Sequence, residues 1–169
     1  GVRALDKAAD AVGQASGQED RSLLQGGVVV AVVVLQLVGC RDVLGELKGG
    51  KLVLLYRHGK TDWLQEDKGP SPECFPGRNL IFEGREQCTE IGKAYRFLDV
   101  PFGDAFSSPV CRCWESLDKM LGRYVKKDYW AMGLSTGATD RLRDLKTIPT
   151  NGNRVIVSHD AVCQSIFNA

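Results

Sequence analysis

Two short apolar, β-branched runs in this chain end alike: Lys51 to Tyr56 leads into Arg57 and His58, and Arg154 to Val157 leads into Ser158 and His159. Runs of this length, bounded by turn residues, predict buried strands. Between them the spacing becomes helical. Cys88, Ile91 and Tyr95 recur within residues 83–98, and Val110, Trp114, Leu117, Leu121 and Tyr124 form a stripe, so two amphipathic helices are predicted. Ala105 to Ser108, after Pro101 and Gly103, is a short strand candidate. Residues 140–147 predict another helix, closed by Pro149 and an Asn151–Gly152 turn, and Ala161 to Phe167 a last one. Residues 62–82, with Pro70, Pro72, Pro76 and Gly77, read as a long polar loop at a strand's C-terminal end, where loops tend to carry function. The order β, loop, α, β, α, α, β predicts a three-layer α/β fold, a mostly parallel sheet with helices on both faces.

Upstream the pattern differs. Residues 1–26 are rich in Ala, Gly, Gln and Asp with weak periodicity, whereas Val28 through Val38 is apolar except for Gln36. Eleven such residues are too short for a bilayer span, which needs about 20, but suit the apolar core of a signal peptide. Leu37, Val38, Gly39 and Cys40 resemble the lipobox of bacterial lipoproteins, which implies lipidation at Cys40, membrane attachment through it, and a cell-envelope or periplasmic location. The alternative is that valines this dense form a buried strand of a cytoplasmic protein. The expected division is a leader over residues 1–48 and one catalytic domain over 49–169.

Composition bounds the rest. With 169 residues, 43% of them hydrophobic and 25% charged, one globular domain is expected. A net charge of +1 argues against a nucleic-acid partner, which calls for clustered Lys and Arg. Six cysteines do not make a disulfide scaffold, and no two CxxC pairs suggest zinc, so no metal and no cofactor is expected. Cys88 and Cys163 lie in apolar periodic segments and read as buried. Cys74 and Cys111 or Cys113 lie in or beside loops near the candidate site described next, so a disulfide between them is open if the compartment is oxidising. Nothing in the chain speaks to oligomeric state.

The only two histidines stand just beyond two predicted strands, and in an open α/β sheet ligands bind beyond the strands' carboxyl ends. Both can therefore reach one pocket, and an arginine beside the first points to phosphate. Arg57, His58, Gly59, Lys60 and Thr61 form the pattern RHGxT, which resembles the histidine phosphatase superfamily that includes phosphoglycerate mutases and acid phosphatases. Asn79 through Gln87, the SSPxxR turn of Ser107 to Arg112, and Val157 to Asp160 are similar to further segments of that family in the same order. Coverage is residues 50–165, and the likeness is to a small bacterial member with a phosphoglycerate mutase-like fold.

The resemblance implies that His58 attacks phosphorus and carries a phosphohistidine, splitting one hard displacement into two easier ones. Arg57 and Arg112 would clamp the phosphoryl oxygens, since a guanidinium offers a charged planar fork of donors. His159 would donate to a phosphoryl oxygen, and Gly59, Thr61 and Asn79 would border the phosphate, Gly59 because backbone can approach closely there. Asp160 is the first candidate for protonating the leaving oxygen, because a His-Asp pair resembles the acid phosphatase branch; Glu115 is the second. The expected partner is a small phosphorylated substrate.

The chain departs from the family in having Asp160 where much of it has glycine, in ending ten residues after His159, as if its C-terminus were cut short, and in a compact stretch between Arg112 and His159. A cysteine phosphatase is excluded by spacing: six positions after Cys111 and Cys113 stand Leu117 and Lys119, not arginine. A phosphatase is the expectation. The alternatives are a mutase-type phosphotransferase using the same phosphohistidine and a catalytically silent, envelope-anchored phosphate-binding module.

Overall fold

The two β-branched runs pair with each other as parallel strands. A computed structural model describes residues 30–33, 43–66, 74, 77–127 and 143–167. Its elements are β1 (Val30–Val33), α1 (Val43–Gly49), β2 (Val53–Arg57), α2 (Phe82–Phe97), β3 (Phe102–Ser107), α3 (Cys111–Leu121), β4 (Val125–Lys126), β5 (Asn153–Ser158) and α4 (Asp160–Phe167). One further helical turn covers residues 143–146. The sheet order is β1-β2-β5-β3-β4. β2, β5, β3 and β4 run parallel, and β1 lies antiparallel on β2 with Val30 opposite Tyr56. This is the expected α/β fold with a mostly parallel sheet.

Successive residues of a strand face opposite sides, and both sides of β2 and β5 are buried, which is why these strands are apolar throughout rather than alternating. On one face Leu54, Tyr56, Val155 and Val157 pack with Cys88, Cys113, Leu117 and Met120 from α2 and α3. On the other, Val53, Leu55 and Ile156 pack with Leu145, Val162 and Cys163. Helices therefore cover both faces. The α2–α3 contact is close because Gly92 has no side chain: a Cβ there would stand 2.2 Å from the carbonyl oxygen of Met120.

Several boundaries differ from the pattern. The α3 stripe includes Tyr124, yet the helix stops at Leu121, because Gly122 takes the left-handed conformation (φ 69°) and its N–H returns to the Asp118 carbonyl at 2.7 Å. Tyr124 keeps its place on the stripe by stacking on Trp114 instead. β3 starts three residues earlier than expected. β4 is two exposed residues with no apolar alternation, and α1 is a single short helix, so neither carried a periodic signal. Within the apolar run after Gly27, Val30–Val33 is the edge strand β1; the rest of that run and Cys40, the expected lipidation site, lie outside the described residues, as do residues 140–142 of the helix expected there.

At the sheet end away from the histidines, Asn153 is fully buried and ties three segments together. Its Oδ1 accepts from Leu52 N–H at 3.0 Å, and its Nδ2 donates to the carbonyls of Leu47 at 2.6 Å and Pro101 at 3.0 Å. Asn153→Ala strands these groups, each at about 1–3 kcal/mol when buried and unpaired, so a loss of roughly 3 kcal/mol in denaturant unfolding is expected, with kcat of the folded protein unchanged.

Candidate active site

Strand register creates the site. Arg57 is opposite Ser158 in the parallel β2–β5 pair, and the His58 N–H donates to the Ser158 carbonyl at 3.1 Å, so both histidines leave the sheet at one edge. β3 lies on the other side of β5, and the Ser108 N–H donates to Val157 O at 3.0 Å, which brings the SSPxxR turn to the same edge. The imidazoles meet edge-on, with centroids 5.7 Å apart and planes at 66°.

Arg112, second residue of α3, lies between them. Its Nε donates to His58 Nε2 at 3.1 Å, and its Nη2 to His159 Nδ1 at 3.3 Å. A guanidinium only donates, so both of those ring nitrogens hold lone pairs. The protons follow: His58 Nδ1–H donates to the Gly59 carbonyl at 2.8 Å, and His159 Nε2–H to Ser108 Oγ at 3.0 Å, which also accepts from the Val110 N–H. His58 thus presents Nε2, unprotonated, toward the cation that an incoming anion would engage.

His58 is 4% exposed. Burial is the main cause that lowers its pKa to about 3, opposed by the bond to Gly59 and reinforced by the cationic Arg112, by the neighbouring His159 and by Arg57. The imidazole is therefore neutral throughout the physiological range. Linkage gives the sign for stability: an unfolded chain takes up this proton near pH 6.5 and the folded protein only near 3, so this contribution is complete above 6.5 and lost as pH falls toward 3. Two histidines give a sparse imidazole NMR spectrum, in which the His58 signal, assigned by His58→Ala, is expected to stay still from about pH 8 to about 5; a midpoint near the ordinary 6.5 would contradict the geometry.

Arg57, at the end of β2, is 8% exposed, and its Nε has no hydrogen-bond partner among the described residues. Its guanidinium lies 5.7 Å from the Trp63 ring, whose surface also carries Arg78 at 4.6 Å. An unpaired buried donor on a cation is costly, and an anion at this edge relieves it. Trp63 is 58% exposed.

The remaining expected residues separate. Thr61 is buried and bridges to Leu80, which closes the base of the long loop. Gly59 is hemmed by α2: a Cβ would stand 2.8 Å from Gly84 O and 3.0 Å from Cys88 Sγ, so the close approach is to a helix. Its N–H donates to Ser116 Oγ at 2.9 Å. Asn79 donates through Nδ2 to the Cys74 carbonyl, and its own carbonyl accepts from Asp62 N–H. Arg85 holds both oxygens of Glu115, at 2.5 and 3.4 Å. That pair lines a cavity of about 570 Å³ together with Asp62, Cys74, Asn79 and Trp114, between the long loop, the start of α2 and α3. Asp160 opens α4, half-buried, next in the chain to His159.

Four contributors were not legible beforehand. Ser116 is one helical turn after Arg112, and its hydroxyl returns to the Arg112 carbonyl at 2.6 Å while holding Gly59; the i, i+4 spacing is its only trace in sequence. Cys113 packs against the His159 ring, its Sγ 3.6 Å from Nε2. Arg78 supplies the carbonyl that Arg112 Nη1 reaches at 3.5 Å. Ser108 belongs to the quoted turn, but its bond to His159 appears only in three dimensions. The disulfide joins Cys74 to Cys111, Cys113 remains a thiol, and Cys88 and Cys163 are buried thiols as expected. Among the described residues, no group of three or more His, Cys, Asp or Glu is placed to hold a metal ion.

No family model matches this chain, and no curated protein matches it. Among solved structures, it is similar to a phosphoserine phosphatase mutant from Entamoeba histolytica in complex with phosphoserine, at 16% identity and a TM-score of 0.44, over 67% of this chain and 76% of that one. A phosphoserine phosphatase from the same organism in complex with 3-phosphoglyceric acid gives 18% identity and a TM-score of 0.45 over the same shares.

Proposed function

We propose that the protein is a phosphatase that hydrolyses phosphate monoesters through a phosphohistidine on His58. The observation that carries the reading is the bridge: Arg112 donates to both imidazoles and faces the lone pair of His58 Nε2 at a buried, cationic edge. A phosphate monoester resists water because its oxygens repel a nucleophile, and Arg57 with Arg112 offsets that charge. An arriving phosphoryl group draws the Arg112 fork from Nε2 onto its oxygens, which uncovers the nucleophile as the substrate docks. His159, fixed by Ser108, supports the same guanidinium and contributes to holding the phosphoryl group. Nε2 forms the bond to phosphorus while the ester oxygen leaves, taking a proton from Asp160; water then releases phosphate.

Glu115, engaged by Arg85, is the weaker acid candidate on geometry. Water as acceptor distinguishes this reading from mutase-type transfer, and turnover distinguishes it from a silent binding module. Hydrolysis of p-nitrophenyl phosphate in EDTA, with acid-labile, base-stable phosphate on the trapped protein, is the expected result. Asp160→Asn should slow alkyl phosphates far more than aryl ones, whose leaving oxygen needs little protonation. Equal slowing of both classes would remove Asp160 from that role.

The proposed location is the cell envelope. A disulfide beside the site suits an oxidising compartment, and the apolar run ending at Cys40 suits export, whereas the strand at Val30–Val33 favours the cytoplasmic alternative for those residues. Fractionation of cells carrying the full chain decides between them, a cytosolic and unprocessed protein rejecting export.

A further inference from the structure

Resting on the phosphatase reading above, we infer that the Cys74–Cys111 disulfide is a redox-sensitive positioning element for the phosphate clamp, holding Arg112 and the backbone of Arg78 and Asn79 in the geometry that binds the anion. Cys111 is the first residue of α3 and is buried, and Arg112 follows it directly. Val110, the N-cap, makes no side-chain capping bond, and the bonds of this turn from Ser108, Ser116 and the histidines all run to the sheet side rather than to the loop. The tether to the loop is covalent. Cys74, 37 positions earlier, bonds to Cys111 and accepts at its carbonyl from Asn79 Nδ2, and Arg112 Nη1 donates to the Arg78 carbonyl at 3.5 Å.

The base of the loop is secured elsewhere, by the Thr61–Leu80 bridge and the Ile81 N–H to the Lys60 carbonyl. Breaking the disulfide therefore leaves the fold and the two histidines in place and releases the clamp side of the loop. Cys74 borders the cavity, so a small dithiol reaches the bond from that side. The exchange breaks one S–S bond and forms two S–H groups, taking two electrons and two protons from the dithiol, which becomes a disulfide. Cys88, Cys113 and Cys163 are already thiols and take no part. Loss of orientation at a clamp weakens binding more than it alters a nucleophile that stays in place, so the effect falls on affinity.

The test compares the full chain oxidised, reduced with dithiothreitol, and as Cys74→Ser. Inorganic phosphate binding is read by calorimetry, p-nitrophenyl phosphate turnover by steady-state kinetics, and folding by circular dichroism. The expected result is a rise of about tenfold in phosphate Kd and in KM on reduction, a kcat changed by less than about threefold, and recovery on reoxidation. Unchanged Kd and KM in the reduced, folded protein would overturn the inference. So would a fall in kcat or in folded fraction at constant Kd, which marks a plain stabilising crosslink. Should the variant not fold, reduction of the unaltered chain gives the same reading. An oxidised protein that binds phosphate without turnover overturns the phosphatase reading alone, while one that binds no phosphate overturns both.

Discussion

His58→Ala is expected to abolish phosphate ester hydrolysis, with a fall in kcat on the order of 10⁴-fold or more, and to remove the acid-labile phosphate label together with it. The size follows from the role. A nucleophile that forms a covalent intermediate has no substitute when it is deleted, and the remaining clamp only binds. The variant is also informative about the clamp, because His58 Nε2 accepts the Arg112 Nε–H. With that acceptor gone, Arg112 has one bond fewer to surrender when phosphate arrives. Phosphate affinity should therefore hold or improve while turnover disappears, and a variant that retains turnover would reject the mechanism outright.

Arg112→Ala carries the second largest effect, an expected loss of about 10²- to 10³-fold in kcat/KM, the range for removing a donor aimed at developing charge. Three separate contacts predict it: the bond to His58, the bond to His159, and the bond to the Arg78 carbonyl of the loop. Arg112→Lys is expected to recover only a small part, since an ammonium keeps the charge but loses the planar fork that reaches both imidazoles at once. The pKa of His58 should remain low in both variants, because burial is its largest cause and the Arg112 charge a lesser one. Recovery of full kcat/KM in the lysine variant would show that charge alone, and not fork geometry, sets the clamp.

The comparison of pattern with structure divides along the range of the interactions. Strands β2 and β5 are readable because both their faces are buried, so each is apolar at every position and ends abruptly in polar residues. The amphipathic helices α2 and α3 are readable because one face of each meets the sheet. Elements with little buried surface, such as β4 and α1, left no periodic trace, and α3 ended earlier than its stripe because Gly122 turned the backbone. The candidate site follows the same rule. The residue types at two strand ends and one turn are local facts, which is why His58, Arg57, Arg112 and His159 stand in the linear pattern.

Which of these side chains touch was decided by strand order and register alone. β5 lies between β2 and β3, so His159 sits between His58 and Ser108, an order the chain itself does not follow. The choice of Cys111 over Cys113 as the partner of Cys74 was settled by the helix, which turns Cys111 toward the loop and Cys113 toward the His159 ring. Glu115 is held by Arg85, thirty positions upstream on another helix. The linear order thus specifies the chemical groups and the elements that bear them, because burial periodicity and turn chemistry act over a few residues. The protonation of His58, the pairing of the cysteines and the fate of each carboxylate depend on desolvation and on partners distant in sequence, and these exist only once the layers have closed.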